Sequence, residues 1–174
     1  LQRYGLDLDK IGKDLQEIDA VVKQLVEYYQ KKHSQIILLS EYGITDVNNP
    51  VHLNRILRSK GYLAIRMERG LELLDAGASK AFAVADHQIA HIYLNDLTLK
   101  KEVKQLLEGV NGVEKVLTDE DLDVLNLNHP RCGDLVAVAN KDSWFTYYFW
   151  EDDRKAPDFA RMVDIHKKPG YDPV

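Results

Sequence analysis

The sequence is short of most of the groups that would betray a function on their own. One cysteine in 174 residues leaves no internal disulfide, so the fold gains nothing from oxidation; a reducing, cytoplasmic setting is the expectation. Five prolines and ten glycines form no low-complexity tract and no internal repeat. The apolar stretches are strand-length, well below the roughly 18 residues of a membrane-spanning helix. Lys and Arg number 23 against 28 Asp and Glu, a net charge of −5. With no Lys/Arg block there is no footprint for sequence-independent nucleic-acid binding, which depends on neutralising phosphates. Also missing are a Gly-rich phosphate loop with Lys-Ser/Thr, a Gly-x-Ser-x-Gly elbow, a His-Glu-x-x-His pair and multi-cysteine zinc spacing. The chain opens at Leu1 without a methionine and stops after Gly170-Tyr171-Asp172-Pro173, and both ends are expected to be cut.

What is present is an ordinary globular composition, 45% hydrophobic and 29% charged, enough for one core and a soluble surface. Apolar residues at Ile11, Leu15, Ile18, Val22, Leu25, Val26 and Tyr29 keep one stripe on a helix spanning 7–29. The unbroken run Ile36-Ile37-Leu38-Leu39 predicts a strand buried on both faces. A second helix is predicted with Asn49 as N-cap, Pro50 in its first turn, and Gly61 as its stop. Strands are expected at 62–66, at 81–85 and 88–94 around a turn at Asp86-His87, at 113–117, at 135–139 and over the aromatic stretch 144–150. A helix is expected over 97–108 with Thr98 as a cap, and another from Thr118 by its Ser/Thr-x-x-acid start. Helix, buried strand, loop and helix make an α/β rhythm.

Polar residues directly after a buried strand emerge at the carboxyl edge of an α/β sheet, where such folds place ligands. Ser40-Glu41-Tyr42-Gly43 therefore makes Glu41 a site candidate, against the alternative of a solvated loop acid. His52, in the first turn of the second helix, could face the same edge. Asp164 and His166 lie two apart, so an extended segment would point both to one face for a metal or phosphate. Pro169-Gly170 allows the plainer reading of an exposed turn, and Lys167-Lys168 that of solvated surface. Asp86-His87 is a pocket candidate at its turn. His91 reads as a half-buried, hydrogen-bonded ring, Arg131 as organising its turn through Asp134, and Cys132 as a small buried filler without an evident histidine partner. The residues alone support an α/β domain with a metal or phosphate site.

In succession, Gln2-Arg3-Tyr4-Gly5, Ser40-Glu41-Tyr42-Gly43-Ile44, Ala81-Phe82-Ala83-Val84-Ala85-Asp86-His87-Gln88, Arg131-Cys132-Gly133-Asp134-Leu135 and His166 to Pro173 resemble the C-terminal part of a type I phosphodiesterase/nucleotide pyrophosphatase of the alkaline phosphatase superfamily. The resemblance implies an alkaline-phosphatase-like sheet flanked by helices. Residues 1–61 would belong to the catalytic core, 62–125 would form an inserted α+β lobe, and 126–174 would return to the core. It also implies a hydrolase in which a Thr or Ser nucleophile attacks phosphorus and two divalent metals stabilise the charge. That nucleophile would lie upstream of Leu1, leaving this chain without a catalytic residue and inactive alone.

The family's histidine of Asp-x-x-Gly-His falls at Gln2. Its Ser-Asp-His-Gly falls at Ser40 to Gly43, with Glu41 for the aspartate and Tyr42 for the histidine. Its closing His-Gly-Tyr-Asp falls at Pro169 to Asp172, with His166 the nearby substitute. Glu41 and His166 are thus the implied metal ligands, with Tyr42 and Gln2 as further oxygen donors and Tyr42 alternatively a phosphate contact. Zinc is typical of the family, whereas this oxygen-rich set suits Mn²⁺, Mg²⁺ or Ca²⁺ better. Asp86 and His87 are the implied substrate contacts, for a small phosphodiester or nucleotide, and His52 joins them as a substrate-binding candidate from its place at the same edge as Glu41. The alternatives are a binding domain that has given up its metals, or a unit that associates through surfaces a missing half would cover.

Overall fold

The computed structural model describes residues 4–40 and 43–162. The chain divides into two compact units, residues 1–46 with 165–174 and residues 47–164. Together they give the expected α/β class, with helices interleaved among strands.

In the first unit a single helix, α1, runs Leu8–Gln30, as its stripe predicts. Only Ile11 of that stripe is buried; Ile18 and Leu25 are more than half exposed. Residues 36–39 form no strand, and Ile37, Leu38 and Leu39 are 76%, 78% and 77% exposed. This corrects the buried strand expected there. A strand covered on both faces needs neighbours at both edges, and among the described residues none pairs with this run.

The second unit is built on a four-stranded antiparallel sheet. Its strands are β4 (Ala81–Asp86), β5 (Ile89–Leu94), β6 (Val113–Leu117) and β7 (Leu135–Ala139), in the spatial order β4-β5-β7-β6. Alternation buries Ala90, Ile92 and Leu94 of β5 and Leu135, Ala137 and Ala139 of β7 on one face. Val103 and Leu107 of α3 (Lys100–Glu108) join that core. The compact unit is wider than the 62–125 lobe expected from the sequence, because β7 sits between β5 and β6. The 62–125 segment alone would lack β7, one of the sheet's two central strands.

Around this sheet lie two strand pairs. A hairpin joins β2 (Ala64–Glu68) to β3 (Leu71–Asp75). Its two turn residues, Arg69 and Gly70, both have positive φ, 51° and 81°, as a type I′ hairpin turn requires. The sequence reading missed β3, and Arg69-Gly70 between apolar runs was its signal. The other pair is parallel, β1 (Asn49–Val51) against β8 (Ser143–Phe145). Asn49 and Pro50 thus belong to a strand rather than to a helix start. The Asn49 amide donates to Ser143 Oγ at 3.0 Å, and α2 begins only at Leu53, running Leu53–Ser59. Gly112 has φ +97°, and a Cβ there would come within 2.5 Å of Val51 and 2.6 Å of Asn49 Nδ2; only glycine lets this turn lie against β1.

The expected aromatic strand over 144–150 stops at Phe145. The backbone carbonyls that a strand partner would occupy are taken by arginines instead. Arg55 Nε donates to Trp150 O at 2.5 Å and Arg58 Nη1 to Phe149 O at 3.0 Å. The rings pack as a cluster, with Phe149 edge-on to Trp150 at 5.3 Å. Arg58 also pairs with Glu72 of β3, whose side chain is only 6% exposed. The edge of β4 is closed by a side chain: buried Asn54 of α2 donates to Ala83 O at 2.8 Å and accepts from Ala83 N at 2.7 Å. An amide there satisfies both groups an edge strand would leave open.

The remaining elements follow their signals. A 3-10 turn, Leu97–Leu99, precedes α3, and Asp96 rather than Thr98 is its cap, accepting from Thr98 N at 3.1 Å. Thr118 and Asp121 form a capping box for α4 (Asp119–Val124). A short α5 spans Phe159–Met162.

Candidate functional site

Of the residues that sequence reasoning singled out, Gln2, Glu41, Tyr42 and His166 lie outside the described residues, as do Lys167, Lys168 and Pro169. Among the described residues no group of three or more His, Cys, Asp and Glu could hold a metal ion. The geometry therefore concerns the second unit, and within it His52, Asp86 and His87.

His52 is the N-cap residue of α2. Its position follows from the pairing of β1 with β8, because Val51 O accepts from Thr146 N at 3.0 Å. That bond carries the Thr146 hydroxyl to 2.7 Å from His52 Nδ1. The ring stacks on Tyr148 with centroids 5.4 Å apart and planes 20° apart. The Arg55 guanidinium lies over the other partner of this stack, 5.3 Å from the Tyr148 centroid. Burial first, and the Arg55 charge second, hold the His52 pKa below its ordinary value. Neutral His52 keeps one ring N–H and one lone pair, and Thr146 occupies Nδ1.

His52, Arg55, Ile56, Ser59 and Asn111 line a shallow cleft of about 350 Å³. No carboxylate lines it. Its side-chain polar groups are the His52 ring, the Ser59 hydroxyl and the Asn111 amide, and the positive charge is Arg55, partly engaged with Asp153 at 3.8 Å. Such a cleft accommodates an anionic group beside Arg55 and the His52 ring.

Asp86 and His87 occupy the end of the β4–β5 hairpin, with Asp86 opposite Ile89 and His87-Gln88 as the two-residue turn. His87 has φ +55°. Its Nε2 is 3.7 Å from Asp86 Oδ1, and both side chains are more than three-quarters exposed. The turn's backbone is anchored: His87 O accepts from Phe145 N at 2.7 Å. The Gln88 amide donates to the carbonyls of Asn140, Lys141 and Ser143 at 3.0–3.1 Å. Phe145 thus binds the His87 carbonyl while its neighbour Thr146 binds the His52 ring. The structure ties two of the three candidates to one strand end, although the sequence separates them by more than thirty residues.

Three smaller readings resolve here. His91 is half-buried and hydrogen-bonded as expected, its Nδ1 accepting from Gly133 N at 3.1 Å. Cys132 does have a histidine partner, with Sγ 3.5 Å from that same Nδ1. Asp134 does not engage Arg131; it accepts from Leu94 N at 2.7 Å, while the Arg131 carbonyl accepts from Tyr93 Oη at 2.9 Å. The participants missed from the sequence were Thr146, Tyr148 and Arg55. Only the aromatic density of 144–150 and the helical spacing of Arg55 from His52 hinted at them.

Two crystal structures of phosphonoacetate hydrolase from Sinorhizobium meliloti 1021 are similar to this chain. The complex with phosphonoacetate is 19% identical at a TM-score of 0.43, over 57% of this chain and 24% of that one. The complex with phosphonoformate is 18% identical at a TM-score of 0.40, over 62% and 25%. The chain thus spans about a quarter of the length of these structures. No curated protein matches. The type I phosphodiesterase / nucleotide pyrophosphatase family matches over residues 1–172, nearly the whole sequence, and the chain belongs to that family.

Proposed function

We propose that this chain is part of a metal-dependent phosphoester hydrolase acting on phosphodiester or nucleotide pyrophosphate bonds. The observation that carries this reading is membership of the family over residues 1–172. The His52 cleft supports it, because the outward ring nitrogen of His52 and the Arg55 charge, with no lining carboxylate, suit an anionic ester. In this reading Glu41 and His166, with Tyr42 and Gln2, would hold the divalent ions. These donors are mostly oxygen, which fits Mn²⁺, Mg²⁺ or Ca²⁺ better than zinc. When bound, such ions would stabilise charge at phosphorus. The residues of this chain would orient the ester: Arg55 offers a charge held by the Trp150 carbonyl and the Tyr148 ring. His52, fixed by Thr146, offers a hydrogen bond without a competing positive charge. The nucleophile, a Thr or Ser, would be supplied from outside these residues, making this chain inactive alone.

A second reading rests on the substitutions at the family's histidine positions, now Gln2, Tyr42 and Pro169: a domain that keeps the pocket but binds its ligand without metal. The test is hydrolysis of bis(p-nitrophenyl) phosphate and p-nitrophenyl thymidine monophosphate by the longer protein, across Zn²⁺, Mn²⁺, Mg²⁺ and Ca²⁺. Metal-dependent turnover that collapses by about a hundredfold or more in Glu41→Ala is the expected result. A folded protein inactive with every ion would overturn the hydrolase and favour the metal-free binder.

A further inference from the structure

The second face of the four-stranded sheet carries a groove unrelated to the cleft at His52. Alternation along the strands turns Ile89 and His91 of β5, Lys115 and Leu117 of β6, and Val136 and Val138 of β7 to this side. The segment after α4 closes one flank with Leu125 and Leu127, and His129, Arg131 and Cys132 close the end. The enclosed volume is about 570 Å³, within the range of roughly 300–1,000 Å³ typical of small-molecule sites. Its floor is apolar, yet Leu125 and Leu127 remain 51% and 52% exposed.

The polar groups of the groove have one character. Arg131 N donates to His129 Nδ1 at 3.1 Å, and Gly133 N donates to His91 Nδ1 at 3.1 Å. An N–H can donate only to a ring nitrogen with a free lone pair, so the neutral form of each imidazole carries its proton on Nε2. Backbone amides therefore set both rings as Nε2–H donors. Among the described residues neither the Arg131 guanidinium nor the Lys115 ammonium makes an ion pair. The nearby Asp121 carboxylate, which feels the Lys115 charge, is occupied by the cap on Thr118. No Asp, Glu, Asn or Gln lines the groove, in a chain whose net charge is −5. The lining thus offers apolar surface and hydrogen-bond donors, without a side-chain acceptor for a ligand's own donors.

We propose that this groove is a second ligand site, for a small amphipathic anion whose apolar body lies over Leu117, Val136 and Val138. Its carboxylate or phosphate head would meet Arg131, His129 and Lys115. An uncharged or cationic head would leave these donors unpaired or repelled, which supplies the selectivity. The site stands independently of the hydrolase reading, since it uses none of the residues assigned there.

The test is calorimetric titration of the 174-residue chain with decanoate, decyl phosphate, decanol and decyltrimethylammonium, each below its micelle concentration. Saturable one-site binding of the anions is expected, with decanol about tenfold or more weaker and no binding of the ammonium. Whichever anion binds more tightly identifies the head group. Arg131→Gln should weaken the anions about tenfold and leave decanol unchanged, and Leu127→Asp should weaken all ligands. Both side chains are exposed, so circular dichroism should show the wild-type fold. Equal binding of decanol and decanoate, no binding to the folded chain, or an Arg131→Gln variant with unchanged anion affinity would overturn the proposal. So would sedimentation showing a dimer that Leu127→Asp disperses, since the occupant would then be a second copy.

Discussion

The four-stranded sheet and the 36–39 run are made of the same kind of residue, and they end in opposite environments. Leu135 and Ala137 of β7 are fully buried, while Ile37, Leu38 and Leu39 are more than three-quarters exposed. Both are short and aliphatic, and each reads as a strand. The difference lies in their neighbours: β7 has a strand on each edge and a helix across its inner face, whereas the run pairs with no described strand. Hydrophobicity supplies a driving force proportional to the area that can be covered. It does not supply the cover. Sequence periodicity therefore identifies what a segment is suited for, and the partners within reach decide whether that suitability is realised.

The comparison can be sharpened by removing apolar side chains from each region in turn. The largest effect is expected for Phe145→Ala. Its side chain is 1% exposed, and truncation should destabilise the second unit by about 3–5 kcal/mol. Leu38→Ala should lie within about 0.5 kcal/mol of wild type, as for an exposed site. Urea denaturation measures both, followed by tryptophan fluorescence for the second unit, which holds Trp144 and Trp150, and by circular dichroism for the first, which holds α1; equal effects would remove the distinction.

Next comes the buried ion pair between α2 and β3. Arg58 holds the Glu72 carboxyl below its ordinary value, chiefly through their hydrogen bond. The folded state thus binds the proton more weakly than the unfolded chain. The stability from this pair is complete above the ordinary value of 4.5 and drains away as the pH falls through the lowered one. Glu72→Gln should cost about 3 kcal/mol at neutral pH, because it leaves Arg58 partly unpaired, and should flatten the acid limb of the stability profile. An unchanged acid limb in the variant would show that other carboxyls govern it.

The smallest effect belongs to His52. Its folded pKa lies below 6.5, lowered by burial and then by Arg55. Any stability it contributes is therefore intact above 6.5 and declines as the pH falls toward the folded value. Its imidazole resonances should titrate below those of a free histidine, and Arg55→Gln should move the midpoint upward. A midpoint at or above the free value would mean that the ring is neither desolvated nor near a cation.

How much of this was legible follows the same division. Local signals carried well: the α1 stripe, the strands at 113–117 and 135–139, and the Thr118 capping box depend on residues close in sequence. The start of α2 was misplaced because Asn49 looks like a cap and Pro50 like a first helical residue, yet both are used by a strand partner nearly a hundred positions away. The aromatic run 144–150 has high strand propensity. Arg55 and Arg58 capture its carbonyls, and no local pattern announces that. The same holds for the candidate site. His52, Asp86 and His87 could be named from the sequence, whereas their link through Phe145 and Thr146 is a product of tertiary pairing. The family match reaches residues 1–172, and the proposed ligands Glu41 and His166 fall outside the described residues.

The most direct test of the contrast between the two regions is amide hydrogen exchange on the intact 174-residue chain, read residue by residue. Amides of β5 and β7 should exchange only through global opening, while those of 36–39 exchange at close to the rate of an unstructured peptide. Protection of 36–39 equal to that of β7 would contradict this, showing that the run is paired and covered in the same way as the sheet.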